Sequence, residues 1–210
     1  MKSVIIVAAI MALGAVARAD IDLSSVEIET DQVPLVLLIL PDGSGPGFAE
    51  ARCEDGTLWG RAFRVRPFFM VWGGGPDPVF VTDFPAEDVM LVRDDMGLAC
   101  PGHGHPDGPS DDQGWFTWTL PVHGGGGLVG APATLWVAGQ TAPEPLPLAF
   151  VSPDFTGDNL VNLSDISVFT QSLLDGGASS PADLNVDGVV NLSDVALFTP
   201  AIGVQCPARP

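Results

Sequence analysis

The sequence predicts two parts: an all-β, two-sheet sandwich, followed by a small α-helical module built on a duplicated loop. Three observations carry this. Glycine (25) and proline (20) are both abundant in 210 residues, which favours short strands over long helices. Short apolar or alternating runs recur between residues 21 and 151, each bounded by Gly, Pro or Asp. A twelve-residue pattern rich in Asp and Asn then occurs twice with a period of 29, each copy leading into an apolar stretch with helical spacing.

The first element is a targeting segment. Lys2, the apolar run Val4 to Val16 and the small-x-small sequence Ala17-Arg18-Ala19 read as a secretory signal peptide over residues 1–19, cut after Ala19. The apolar run has 13 residues, short of the roughly 20 that a membrane span requires. No later segment is long and apolar enough to span, so a secreted or cell-surface protein without membrane insertion is expected.

The strands follow in order. Ile21 to Ile28 alternates loosely, as an edge strand does, and Val33 to Leu40 suits a buried strand. Pro41 to Gly47 is a turn. Leu58 to Phe69 alternates apolar residues with Arg61, Arg64 and Arg66, and Pro67 is expected to end it. Val79 to Thr82, Val89 to Arg93, Trp115 to Leu120 and Leu135 to Ala138 are further short strands. Pro143 to Pro147 is a stiff entry to a last strand at Leu148 to Val151. These strands predict a sandwich over residues 20–152, with the boundary near Ser152-Pro153.

Within it, Phe84-Pro85-Ala86-Glu87-Asp88-Val89 and the later Ser110-Asp111-Asp112-Gln113-Gly114-Trp115-Phe116 resemble the bacterial Ig-like repeats of invasin type. The resemblance implies an Ig-like sandwich with a turn at Asp111 or Asp112 and Gly114. No activity follows from it.

Charge narrows the partners. Without residues 1–19 the chain keeps six arginines, no lysine and 26 acidic residues, a formal charge of about −20. Nucleic acid and anionic membrane are poor partners for such a chain, and divalent cations good ones. Seven aspartates and no basic residue lie between Asp154 and Asp194. Their spacing argues for a site rather than a solvated acidic run.

The first copy of the repeat runs from Asp154 to Asp165 and the second from Asp183 to Asp194. Calcium takes six to eight oxygen ligands, and a short loop surrounds it by offering oxygens at positions 1, 3, 5, 7, 9 and 12. In the second copy these are Asp183, Asn185, Asp187, the Val189 carbonyl, Asn191 and Asp194, with Gly188 at the sharp turn of position 6. In the first they are Asp154, Thr156, Asp158, the Leu160 carbonyl, Asn162 and Asp165. There Asn159 stands at position 6, and the Thr156 hydroxyl is a poorer ligand than an amide or carboxylate. Two Ca2+ ions are expected, the second site the stronger. Val190 is expected to cross-pair with Val161.

The motif D-x-N-x-D-G-x-V-N-x-x-D, complete at Asp183 to Asp194, and its copy at Asp154 resemble a type I dockerin over about 50 residues. The resemblance implies an EF-hand-like module over 153–203, each loop followed by one helix, and a tail at 204–210. It implies a cohesin-type protein partner, bound through positions 10 and 11: Leu163, Ser164, Leu192 and Ser193. Pro200 is expected to cut the second helix near Thr199. Dockerins like this one often ride on polysaccharide-degrading enzymes, so an accessory role in polysaccharide binding or hydrolysis is an alternative. A calcium-stapled structural module without a cohesin is another.

Other constellations read as structural. Cys100-Pro-Gly-His103-Gly-His105 and His123 are metal-ligand types without supporting spacing. The five tryptophans are expected mainly in the core. Glu50, Glu54, Asp55, Glu87 and Asp88 form no recognisable catalytic pair, so a non-catalytic protein is expected. Gly124 to Gly127 lacks the lysine and helix start that phosphate binding needs, and reads as a loop. The arginines at 52, 61, 64 and 66 are expected to pair with acidic residues on neighbouring strands. Of the cysteines, a Cys53–Cys100 disulfide would leave Cys206 in the tail, with two other pairings open.

Overall fold

The computed structural model describes residues 21–29, 34–53, 55–71, 77–93, 104–125, 132–175 and 181–207. The signal peptide, Glu54, Trp72, Cys100 and His103 lie outside them. The described chain is mostly β-strand in small sheets, with two short α-helices near the C-terminal end. Among the described residues no helix is long and apolar enough to cross a membrane.

Among the described residues nine strands are present: β1 (Ile21–Ile28), β2 (Leu35–Leu38), β3 (Arg52–Cys53), β4 (Phe63–Val71), β5 (Val89–Arg93), β6 (Phe116–Trp118), β7 (Ala133–Val137), β8 (Gln140–Thr141) and β9 (Leu148–Val151). They form three three-stranded sheets in the orders β1-β4-β6, β3-β2-β9 and β5-β7-β8. Every pair is antiparallel except β2 with β9, which run parallel from Leu35↔Leu148 to Leu38↔Val151.

Period-2 alternation turns one face of each sheet into a shared core. Leu35 and Leu37 of β2, Phe63 and Val65 of β4, Val89 and Leu91 of β5, Phe116 and Trp118 of β6 and Leu148 and Phe150 of β9 are all buried in one cluster. Phe63 stacks on Phe48 at 5.5 Å between centroids and lies against Trp118 at 6.2 Å. The Trp118 indole N–H donates to Gly104 O at 3.0 Å, so burial leaves no polar orphan there. Truncating a ring such as Phe63 to alanine costs about 3–5 kcal/mol at such a site. Trp59 and Trp115 are also buried, and Trp136 is half-buried.

The outward face of β4 carries the arginines. Arg64 pairs with Glu29 at 2.9 Å and Asp111 at 2.6 Å, and Arg66 pairs with Glu27. Both guanidinium groups lie over the Trp115 ring, at 5.2 and 4.6 Å. The turn at Asp111–Gly114 is closed by Gly114 N–H to Asp111 O at 3.0 Å, with Gly114 at φ 80°. His105 Nδ1 lies 2.7 Å from Val89 O and 3.1 Å from Ala86 O, a structural use of that imidazole.

Two expectations are corrected, and the cysteine pairing left open is narrowed. Pro67 does not end its strand: β4 runs on to Val71. Pairing with β6 stops at Val65, so at Pro67 only β1 is paired, and a proline is tolerated at such an edge. Val79 to Thr82 makes only an isolated bridge from Val79 to Phe69. The Cys53–Cys100 pairing is not found. Cys53 is a thiol that β3 turns into the core, whereas Cys206 is the disulfide-bonded residue.

A second core serves the helical part. Helix α1 (Leu163–Asp175) and helix α2 (Leu192–Phe198) follow the two loops. A 3-10 turn at Thr199–Ala201, with Pro200 inside it, ends α2. Phe155, Phe169 and Phe198 stack with centroids 4.7–6.2 Å apart. Val161, Ala182, Leu184 and Val190 complete the cluster, and Leu38 and Leu40 pack on it from the far side of β2. Strand β9 enters the first loop through Ser152 and Pro153 without an intervening linker.

Val161 and Val190 share this core, while the backbone of Val161 pairs with a later stretch of the chain. Val161 N–H donates to Val204 O at 2.9 Å, and Gly203 N–H to Val161 O at 2.8 Å. Leu160 bridges Gln205, and Cys206 N–H donates to Asn159 O at 3.1 Å. The stretch 203–206, expected to fall at the module's end and in its tail, is an antiparallel partner of the first loop.

Candidate metal centre

Each loop is shaped by its first and last aspartates. In the first, Asp154 Oδ1 accepts from Gly157 N–H and Oδ2 from Asn159 N–H, both at 2.9 Å. Asp165 Oδ1 accepts from Thr156 N–H at 2.9 Å and from its hydroxyl at 3.1 Å. Asp165 Oδ2 accepts from Asn162 N–H at 2.8 Å. In the second loop Asp183 accepts from Asp187 N–H (3.1 Å) and Gly188 N–H (2.8 Å). Asp194 accepts from Leu184 (2.8 Å), Asn185 (3.2 Å) and Asn191 (2.8 Å). Position 12 thus ties the start of each loop to the start of its helix.

The asparagines at position 9 cap helices. Asn162 Oδ1 accepts from Ser164 N–H at 2.8 Å and Asn191 Oδ1 from Ser193 N–H at 2.7 Å. Their Nδ2 groups donate into the loop, to Leu160 O (3.2 Å) and Asp158 Oδ2 (3.0 Å), and to Val189 O (3.1 Å) and Asp187 Oδ2 (3.5 Å). In this rotamer the oxygen faces the start of the helix and the amide N–H faces the loop.

The first loop gathers its carboxylates. Oxygens of Asp154, Asp158 and Asp165 lie within 4.8 Å of one another, the spread that ligands about 2.3–2.6 Å from a common ion have. Asp154 and Asp165 are fully buried and Asp158 is exposed, so the group opens to solvent on one side. Thr156 Oγ1 lies 3.1 Å from Asp165 Oδ1 and 3.5 Å from Asp154 Oδ1, within the same group. Among the described residues this is the one such cluster of three, and Asp183, Asp187 and Asp194 do not form another. In the second loop Asn185 Nδ2 instead donates to Asp187 Oδ2 at 2.8 Å.

Burial pushes the Asp154 carboxyl above its ordinary value. The Asn159 and Gly157 N–H groups oppose the rise, and the charges of Asp165 and Asp158 add to it. Asp183 is raised for the same first reason, burial. Asp187 is lowered, first by the Asn185 amide and then by Val189 N–H. Buried carboxylates held together are costly when ionised unless a cation joins them. The oxygen-only donor set, with no Lys or Arg between residues 154 and 194, fits a hard divalent cation.

Leu163 and Leu192 are 78% and 80% exposed, and Ser164 and Ser193 are exposed beside them. Three features escaped the reading from sequence. Position 4 is left-handed in both loops, at Gly157 (φ 73°) and Val186 (φ 57°), in addition to the left-handed position 6 that was expected, at Asn159 (φ 67°) and Gly188 (φ 86°). Arg52 of β3 lies near enough to Asp187 to help lower its pKa. Gly125 lies against Asp154 and Asn159. The four-glycine run was a signal for close approach, but not for what it approaches.

No protein-family model, no curated protein and no solved structure matches the chain.

Proposed function

We propose that residues 153–206 are a dockerin-like module that binds two Ca2+ ions, carried by a secreted, non-catalytic protein with an Ig-like N-terminal sandwich. Its role is calcium-dependent attachment to a cohesin-type partner through Leu163-Ser164 and Leu192-Ser193. The observation that carries the calcium reading is the convergence of Asp154, Asp158 and Asp165, two of them fully buried, in a segment without a basic side chain. Such a group is stable at neutral pH when a cation neutralises it. Asp154, Thr156, Asp158, Asp165 and the Leu160 carbonyl would hold the first ion, with Asn162 directly or through a water. Asp183, Asn185, Asp187, Asp194 and the Val189 carbonyl would hold the second, with Asn191 directly or through a water.

The attachment reading is supported by two leucines left exposed at equivalent positions of a duplicated loop. A second reading, a calcium-stapled structural module, is favoured by the packing of Leu38 and Leu40 against the module's core.

Calorimetry of the full chain tests the first claim. Two ions per chain, one lost in Asp158→Ala and the other in Asp187→Ala, is the expected result, and these variants rank the two sites. No binding at millimolar calcium would falsify it. Capture by cohesin domains in calcium, abolished by chelation and weakened by Leu163→Asp with Leu192→Asp, separates attachment from a structural role.

A further inference from the structure

We propose that the N-terminal part walls the first loop through Gly125, so that calcium in this loop locks the helical module onto the sandwich. The inference rests on the calcium reading above. Gly125 follows β6, outside the module, and its neighbour Gly124 donates its N–H to Leu40 O at 3.2 Å. Leu40 in turn packs on the module's core. Any Cβ at residue 125 would overlap Asp154 Oδ2 and stand 3.1 Å from Asp154 Cγ and 3.3 Å from Asn159 Oδ1. Asp154 has no room to yield: it is fully buried and both its oxygens are held by backbone N–H groups of the loop.

A second observation points the same way. Asn159 Oδ1 is buried beside Gly125 with no hydrogen-bond partner among the described residues. Asn159 occupies the left-handed turn of the loop, and its own N–H holds Asp154. The wall therefore presses on the first ligand and on the residue that orients it. The second loop has no such wall at the equivalent turn: a Cβ on Gly188 would meet nothing within 4 Å.

The consequence is thermodynamic coupling. An ion that draws the carboxylates of Asp154, Asp158 and Asp165 together favours the arrangement in which Gly125 lies against Asp154. By reciprocity, that docked arrangement favours the ion. The second site, open at its turn, lacks this wall.

The test uses the full chain with the second site disabled by Asp187→Ala. Calcium affinity of this variant is compared with that of Asp187→Ala carrying Gly125→Ala. A loss of about 10–100-fold on adding the methyl group, as perturbing a ligand's supporting shell produces, is expected. Amide hydrogen exchange at residues 122–125 supplies a readout on chains with Gly125 intact. Calcium should slow it about tenfold or more in Asp187→Ala and leave it unchanged in Asp158→Ala. Equal affinity with and without the methyl group, or exchange indifferent to calcium, overturns the wall while leaving the calcium reading in place. Absence of calcium binding by the unsubstituted chain overturns that reading, and this one with it.

Discussion

Val186 and Gly157 occupy the same position of the two loops, and both adopt left-handed backbone, at φ 57° and 73°. The glycine does so freely, but a β-branched residue there carries strain of about 1–2 kcal/mol. Val186→Gly is therefore expected to stabilise the chain, by about 1 kcal/mol after the extra entropy of glycine is counted. Chemical denaturation checks it. A comparable loss would mean that Val186 contributes more by packing in the groove it lines with Val36, Leu38 and Leu197 than its backbone costs.

Position 12 and position 5 of the first loop should separate architecture from ion binding. Asp165 is fully buried and holds Thr156 and Asn162, whereas Asp158 is exposed. In chelator, Asp165→Ala should cost about 3 kcal/mol by emptying a fully buried site and taking the acceptor from the Thr156 and Asn162 N–H groups, and Asp158→Ala about 0.5 kcal/mol or less. Urea midpoints of the two variants decide; equal costs would contradict the assignment.

Without calcium the pH dependence should run against the usual carboxylate trend. Asp154 and Asp183 are raised by burial, so folding favours their neutral forms. That contribution is fully present below the unfolded value near 3.8 and is lost as pH rises through the raised folded values. The lowered value of Asp187 acts oppositely, but that side chain is exposed and contributes little. The chelated protein should resist urea better at about pH 4.5 than at neutrality, and saturating calcium should erase the difference. Stability that rises with pH in chelator would count against it.

Thiol chemistry should find one reactive group. Cys53 is 6% exposed and Cys206 is disulfide-bonded. A thiol reagent should label the oxidised protein only after unfolding, with one equivalent, and Cys53→Ser should abolish labelling. Two or three equivalents from oxidised protein would contradict this assignment.

How much was legible from sequence follows from range. Asp154, Asp158 and Asp165 could be singled out because the repeat places oxygens at the spacing an ion needs, and their convergence is local. Strand alternation around Val89, Leu91, Phe116 and Trp118 was legible for the same reason. The parallel partnership of Leu35 with Leu148 was not, because nothing near either residue encodes a pairing across most of the domain. Pro67 misled because its effect depends on whether β6 reaches it, which only the assembled sheet decides. Val186 gave no sign of a left-handed turn, since valine normally refuses one. The backbone pairing of Val161 with Val204 was not legible either, because it depends on the stretch beyond α2 folding back to the first loop.

That last stretch also sets an order of assembly. During synthesis the first loop emerges well before the residues that pair with its far side. Its hydrogen bonds to Gly203, Val204 and Cys206 form only once those residues have left the ribosome. The earliest-made loop of the module is thus among the last to be completed, and an interrupted chain would carry that loop unfinished.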